Sequence, residues 1–299
     1  MRSGWAAADP PQRPVLFVNP KSGGRKAERA GLVERAIERG IEPVIMRPDQ
    51  TLAAMAFDAV ASGADALGVA GGDGSLAVVA ATALAHGLPF VCVPAGTRNH
   101  FALDVGVDRR DLLGSLDAFT DGVERRIDVA EVSGRLFLNN VSLGIYGDAV
   151  RQPTYRDAKA RTLLETAAEV LGPSAATVDV QLVDDRGRAH RNPAVVLVSN
   201  NAYSLDPARG PRARPTLDGG ELGIIVLDRP RAGQGPGRTW TATRLEVSAP
   251  APVQAGIDGE AVKLAPPLEF VIVPRALRVR IARRPGLSPS GRLRREPGQ

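Results

Sequence analysis

The sequence predicts an α/β plus all-β protein in two domains. Up to residue 128, short apolar runs alternate with glycine or polar turns and helix-length segments, the pattern of parallel βαβ units. From Ile127 to about residue 275 the pattern changes to short alternating runs separated by turns, the signature of antiparallel sheet. Three turns in the first half each follow a candidate strand. A parallel sheet gathers such turns at one edge, where open α/β sheets bind ligands. The expectation is a Rossmann-like nucleotide-binding domain over 14–128 and a β-rich antiparallel domain over 129–275, with a cleft between the two.

Residues 1–13, rich in Ala, Pro and Arg, are expected to be disordered. A strand over 15–18 ends at Asn19-Pro20-Lys21-Ser22-Gly23-Gly24. A helix follows over 25–39, with Ala30, Val33 and Ile37 on one face and Gly40 as its C-terminal cap. A strand over 43–46 and a helix over 51–62 lead to a strand over 67–70, which breaks at Gly71-Gly72-Asp73-Gly74-Ser75. A helix from near Leu76 to about Ala85 comes next, then a strand over 90–93 that breaks at Pro94-Ala95-Gly96-Thr97, then a helix over 110–122. Further strands are expected over 127–132, 135–143, 178–183, 194–199, 222–227, 241–248, 253–257 and 270–273, interrupted by one helix over 155–171. There is no internal repeat.

The glycines indicate the ligand. Gly71, Gly72 and Gly74 remove side chains and let backbone N–H groups approach an anion closely. The helix that follows adds its partial positive charge. Asp73 lies inside this cradle, where it would repel bare phosphate unless Mg²⁺ or a substrate proton accompanies the ligand. The turn is therefore built for a magnesium nucleotide, although a tight turn alone would carry the same letters. Lys21 and Ser22 in the first turn can reach phosphate oxygens. Neither G-x-x-x-x-G-K-[ST] nor G-x-G-x-x-G is present.

Composition narrows the class. With 299 residues, 43% hydrophobic and 24% charged, the chain can bury a sizeable core. The single cysteine, Cys92, lies in an apolar run and reads as a buried inert thiol, so disulfide frameworks and cysteine metal clusters are excluded. No run is long enough to span a membrane and no signal-peptide core is present, which predicts a cytoplasmic protein. The arginine-rich end of the chain could contact anionic lipid at about 1 kcal/mol per Arg near the surface, or be a solvated tail. Nucleic acid is not an expected partner, because the basic charge is mostly in that tail and aromatics make up only 4%.

The combination of Asn19-Pro20-Lys21-Ser22-Gly23, Gly71-Gly72-Asp73-Gly74-Ser75, Gly96-Thr97-Arg98-Asn99, the stretch from Phe137 through Asn139-Asn140 to Gly144, and Asp258-Gly259-Glu260 resembles the diacylglycerol kinase catalytic-domain family of lipid kinases, whose fold is shared more distantly with NAD kinases. The motifs fall in family order across about residues 14–275. The resemblance implies an ATP-dependent lipid kinase acting on diacylglycerol or a related lipid, peripheral on the inner membrane face, with residues 276–299 returning to the first domain. It implies that the domain over 129–275 is a β-sandwich substrate domain with the active site in the interdomain cleft, and it implies ATP and Mg²⁺ as cofactors. Asn19, Lys21, Ser22, Gly23, Gly71, Gly72, Gly74, Ser75, Gly96, Thr97 and Asn99 would hold the nucleotide, with Asp73 near its metal and phosphates. Glu260 would accept the hydroxyl proton with Asp258 beside it, and Asp128 would join the active-site network. Thr216, Asp218 and Glu221 would belong to a structural metal loop. A homodimer is compatible with the sequence.

Departures from the family pattern are His100, where an acid is usual, and Gly219 in the metal loop. Asp104, one helical turn beyond His100, reads as a solvated helix acid. Asp258-Gly259 by itself reads as a type I′ hairpin turn, which can also aim a carboxylate. The helix over 155–171, with Arg156, Lys159 and Arg161 at its start, could flank an acyl entrance or simply pack on the sandwich. Competing readings are a soluble small-molecule or NAD kinase, and a nucleotide-binding regulator that has lost catalysis.

Overall fold

A computed structural model describes residues 4–144, 179–204, 214–228 and 237–283. The helix expected over 155–171 lies outside them. The chain divides into two units, one of Met1–Ile127 with the residues from Arg275 onward, the other Asp128–Pro274.

The first unit begins with β1 (Ala6–Ala7) and β2 (Pro14–Val18). Two short helices follow, α1 (Lys26–Arg29) and α2 (Leu32–Ile37), then β3 (Glu42–Ile45), α3 (Leu52–Ala61), β4 (Ala66–Ala70), α4 (Asp73–Ala85), β5 (Phe90–Val93), α5 (His100–Val105) and β6 (Gly122–Val132). Strands β5, β4, β2 and β3 lie side by side, all parallel. All residues of β2, β4 and β5 are buried, which explains why each reads as an unbroken apolar run. Leu16, Val18, Ala66, Ala70, Val91 and Val93 share a core with Leu32, Leu116 and Phe119. Gly68 makes this packing feasible, since a Cβ there would lie 2.5 Å from the Phe119 ring.

Three expected helices differ. The one over 25–39 is two pieces, because Gly31 takes φ +61° between them. The one over 110–122 is a 3₁₀ stretch, Gly114–Phe119, entered where Asp111 accepts the Gly114 N–H at 2.8 Å. The third, α4, starts at Asp73 rather than near Leu76, with Gly72 as its N-cap. That shift places the Asp73 carboxylate in the first helical turn.

The second unit is antiparallel. It comprises β7 (Arg135–Phe137), β8 (Asn140–Leu143), β9 (Gln181–Asp184), β10 (Ala189–Arg191), β11 (Val195–Asn200), β12 (Leu222–Leu227), β13 (Gly237–Ala242), β14 (Arg244–Ser248), β15 (Val253–Ile257) and β16 (Glu260–Leu264). One sheet runs β13-β12-β11-β8-β15-β16. Strands β10, β9 and β14 form the other layer, continued by the first residues of β17 (Leu268–Ala282). Inward residues of both layers, among them Val141, Val198, Ile224 and Ile257 on one and Leu182, Leu245 and Phe270 on the other, form a single apolar cluster. Phe137 meets Phe270 edge-on, with centroids 6.4 Å apart.

Two expected strands are split here. The run 135–143 breaks at Leu138-Asn139, where the Asp258 carboxylate takes the backbone N–H groups. The run 241–248 breaks at Thr243, whose N–H and hydroxyl both donate to Asp185. The chain passes between the units twice, within β6 and within β17, and Val279–Arg280 of β17 pairs in parallel with β5.

Candidate active site

In the first unit the three glycine turns are brought together. The Asn19 N–H donates to the Ala70 carbonyl (3.0 Å), which ties the first turn to the end of β4. The Gly96 N–H donates to the Gly71 carbonyl (3.0 Å), which ties the second turn to the third. A Cβ on Gly23 would lie 2.2 Å from the Ala95 carbonyl oxygen, so the first turn also packs on the third. Lys26 Nζ reaches across to the carbonyls of Pro94 (3.0 Å) and Arg109 (2.8 Å).

Each turn is held by its own side chain. Asn19 Oδ1 accepts the Lys21 N–H at 3.0 Å, an Asx turn, and Ser22 opens the short 3₁₀ element that follows. Asn99 is buried with φ +50° and donates to the carbonyls of Pro94 (3.1 Å) and Gly96 (2.7 Å). Asp73 accepts from the N–H groups of His100 (3.3 Å) and Phe101 (3.4 Å), joining the start of α4 to the start of α5. Thr97 is exposed, and Ser75 and Gly74 lie half-buried in the first turn of α4. The Cys92 thiol is pushed up by burial and by the nearby Asp73 charge, which leaves it inert. Asp104 is 5% exposed, so it is a buried acid of α5 and not the solvated one its spacing suggests.

Gly72 differs from the other turn glycines. A Cβ on Gly96 would come within 2.6 Å of Gly72 Cα, and one on Gly71 within 2.9 Å of Ser75 Cβ. A Cβ on Gly72 would meet nothing within 4 Å, and its φ of −89° suits any residue. Protein packing therefore does not require a glycine at 72. The open space there adjoins the α4 N-terminus, whose N-cap has no side chain to accept the first-turn N–H groups.

In the second unit Asp258 and Asp128 belong to one hydrogen-bonded network. Asp258 and Gly259, at φ +48° and +88°, form the β15–β16 turn with the backbone signs of type I′. The Asp258 carboxylate accepts from the N–H groups of Leu138 (2.8 Å), Asn139 (2.8 Å) and Asn140 (3.1 Å). Asp128 is fully buried, and its carboxylate accepts from Asn201 Nδ2 (2.8 Å) and the Gly220 N–H (2.7 Å). Asn200 Nδ2 bridges the carbonyls of Asp128 and Leu138, linking the two acids. Buried Arg214 donates to the carbonyls of Leu138 (2.6 Å) and Asn200 (2.8 Å) and to Asn139 Oδ1 (3.1 Å).

Glu260 stands at the start of β16, its side chain 59% exposed and 3.7 Å from Arg135. Thr216 and Asp218 meet at 2.8 Å, while Glu221 pairs with Arg186 at 2.9 Å. Among the described residues no three His, Cys, Asp or Glu side chains are grouped closely enough to hold a metal ion. Asn200, Asn201, Arg214 and Lys26 escape the sequence reading. The polar pair Asn200-Asn201 at the end of an apolar run was a usable signal, whereas Arg214 had none.

Comparison with known proteins agrees with this architecture. Residues 13–132 match the family model of the diacylglycerol kinase catalytic domain. The chain is 28% identical over 305 residues to a Pseudomonas aeruginosa protein named "Probable lipid kinase YegS-like", covering 95% of this chain and 97% of that one. It is 32% identical over 136 residues to the diacylglycerol kinase of Bacillus subtilis, covering 43% and 44% of the two chains. A diacylglycerol kinase crystal structure from Bacillus anthracis aligns with a TM-score of 0.64 over 90% of this chain and 96% of the other, at 16% identity, a likeness of fold. The family match and the relatives thus define a phosphotransferase of the kinase class. The match to the diacylglycerol kinase catalytic domain is carried by residues 13–132.

Proposed function

We propose that the protein transfers the γ-phosphoryl group of ATP to a hydroxyl of diacylglycerol or a related lipid. The observation that carries this reading is the convergence of the three turns around the open face of Gly72, where a phosphate chain can approach the α4 N-terminus without meeting a side chain. Backbone N–H groups of 71–75 and of Thr97 bind and orient the phosphates, Asn19 and Asn99 hold the turns in shape, and the Ser22 and Thr97 hydroxyls add to the grip on the nucleotide. Such positioning supplies most of the catalysis that phosphoryl transfer needs.

Asp73 is the sole acid of the three turns, so the donor set fits a triphosphate that arrives with a divalent cation. Mg²⁺, when bound, would neutralise charge on the phosphate oxygens. Glu260 accepts the proton of the attacking hydroxyl. An exposed carboxylate on a rigid type I′ turn is aimed without being neutralised by burial. Asp258 and Asp128 hold the loops that carry it.

The lipid acceptor comes from the names of the relatives, and no described helix is long and apolar enough to cross a membrane, which fits peripheral access to a lipid surface. The deciding experiment offers labelled ATP, Mg²⁺ and mixed micelles containing diacylglycerol. Labelled lipid from the wild type and at most about 1% of it from Glu260→Gln is the expected result. Labelling of a soluble acceptor such as NAD without detergent, or equal lipid labelling by Glu260→Gln, would overturn the reading.

A further inference from the structure

One buried acceptor at the three turns is unmatched. Asn99 is 3% exposed, and among the described residues its Oδ1 receives no hydrogen bond. Its Nδ2 is committed, donating to the carbonyls of Pro94 (3.1 Å) and Gly96 (2.7 Å). Turning the amide over would set its oxygen against those two carbonyls, so the side chain has one orientation. A buried amide oxygen without a donor is costly, and a ligand that brings a donor or a positive charge relieves it.

The place of this oxygen shows what it faces. A Cβ on Gly96 would lie 2.8 Å from Asn99 Oδ1 and 2.6 Å from Gly72 Cα. The unmatched oxygen therefore lies at the seam of the second and third turns, beside the open face of Gly72. Asp73 stands on the same seam. Its carboxylate meets the N–H groups of His100 and Phe101, the two residues after Asn99, at 3.3 and 3.4 Å, the long end of hydrogen-bond range. An amide oxygen and a carboxylate thus border the place where the α4 N-terminus would draw a phosphate chain.

A phosphate oxygen brought there meets two acceptors and is repelled by both. A hydroxyl or amine of the ligand would satisfy Asn99 alone and leave the repulsion between phosphate and Asp73. A divalent cation answers both, since amide and carboxylate oxygens are the hard ligands that Mg²⁺ takes.

We propose that Asn99 Oδ1, together with Asp73, holds the divalent cation that accompanies the nucleotide phosphates. This rests on the phosphate site proposed above, and it gives Asn99 a second role besides bracing the third turn. The left-handed backbone at Asn99, φ +50°, suits Asn, Asp or Gly and few other residues.

That restriction supplies the test. Asn99→Gly and Asn99→Asp both keep the backbone and both remove the Nδ2 donors, but only the second returns an oxygen ligand. The affinity of the full chain for a non-hydrolysable ATP analogue is measured by calorimetry with Mg²⁺ and with EDTA, beside Tm. The wild type is expected to bind the analogue roughly tenfold more tightly with Mg²⁺. Asn99→Gly should lose most of that gain and Asn99→Asp should keep or exceed it, although both lower Tm alike. Electron paramagnetic resonance of Mn²⁺ bound with the analogue should give the same order. An equal loss in both variants would make Asn99 a brace only, and an undiminished gain in Asn99→Gly would remove it from the metal; either overturns the proposal. Metal-independent binding by the wild type overturns it and leaves the phosphate site standing, whereas no binding of the analogue overturns both. Should Asn99→Gly fail to fold, Asn99→Asp decides alone: a retained or raised gain supports the site and a lost one overturns it.

Discussion

Gly96 donates its N–H to the carbonyl of Gly71 at 3.0 Å, and its own Cα leaves no space for a side chain against Gly72. The second and third turns are thereby locked together by backbone, and the two glycines at 72 and 96 acquire opposite roles. Gly96 serves the protein, while Gly72 leaves room for something else. Gly96→Ala is expected to cost about 1–3 kcal/mol of stability through overpacking, seen as a lower Tm of the first unit. Gly72→Ala is expected to keep Tm and to weaken ATP binding at least tenfold. Nucleotide titration beside thermal unfolding measures both. A Gly72→Ala protein that binds ATP as tightly as the wild type would remove the reason for placing phosphate there.

Glu260 and Asp258 share one hairpin turn but differ in what surrounds them. Glu260 is exposed and loosely paired, so Glu260→Gln should leave the urea midpoint almost unchanged, within the small range of surface ion pairs. Turnover should fall about 10²–10⁴-fold if the group moves a proton. Asp258 accepts three backbone N–H groups, and Asp258→Asn keeps the turn while weakening all three bonds. A loss of about 1.5–3 kcal/mol is expected there, with turnover falling only as the 138–140 loop loosens. Measuring midpoint and turnover on both variants separates chemistry from support.

Asp128 shows what removing a buried acceptor does. Asp128→Ala would leave the Gly220 N–H without its carboxylate acceptor and Asn201 Nδ2 with only the Glu221 carbonyl at 3.3 Å. The expected cost is about 2–4 kcal/mol, that of leaving one buried donor unsatisfied and weakening a second. Asn201→Ala, which removes only one partner, should cost less, about 1–3 kcal/mol. A double-mutant cycle on these two residues should give a coupling of about 0.5–3 kcal/mol. Additive effects would mean that Gly220, and not Asn201, is the partner that matters.

How much of this was legible in the sequence follows from the range of each interaction. The strands 90–93 and 222–227 are the runs expected, because a strand buried on both faces has no polar residue to blur its ends. The Asp258-Gly259 turn was legible for a local reason, the need for positive φ at both positions. The breaks at Leu138-Asn139 and at Thr243 were not, since each is caused by an acid far along the chain, Asp258 or Asp185. The same holds for the buried network, where Asp128 and Asn201 lie 73 residues apart. The start of α4 at Asp73 was misread because Gly-Asp-Gly is a poor helix sequence, and the contacts with α5 and the third turn override that propensity.

Asp184 makes the stability of the second unit depend on acid. Its side chain is fully buried, and burial alone would raise its pKa. The N–H groups of Arg188 (2.8 Å) and Arg186 (2.9 Å), with Arg188 Nε at 2.6 Å, outweigh that and hold the carboxyl below its usual range. Asp185 is lowered too, first by the Thr243 hydroxyl. A carboxyl whose folded pKa is depressed stabilises the fold above its unfolded pKa, and that contribution is lost as pH falls through the folded value. Stability should therefore be level from pH 7 to about pH 4 as far as these two groups are concerned, and decline below about pH 4. Asp184→Asn should lower stability at pH 7 and flatten the decline between pH 4 and pH 2, because one of the two proton uptakes is gone. Urea unfolding of the wild type and the variant at pH 7, 4 and 3 measures this. A variant with an undiminished acid slope would mean that Asp184 titrates the same in the folded and unfolded chains.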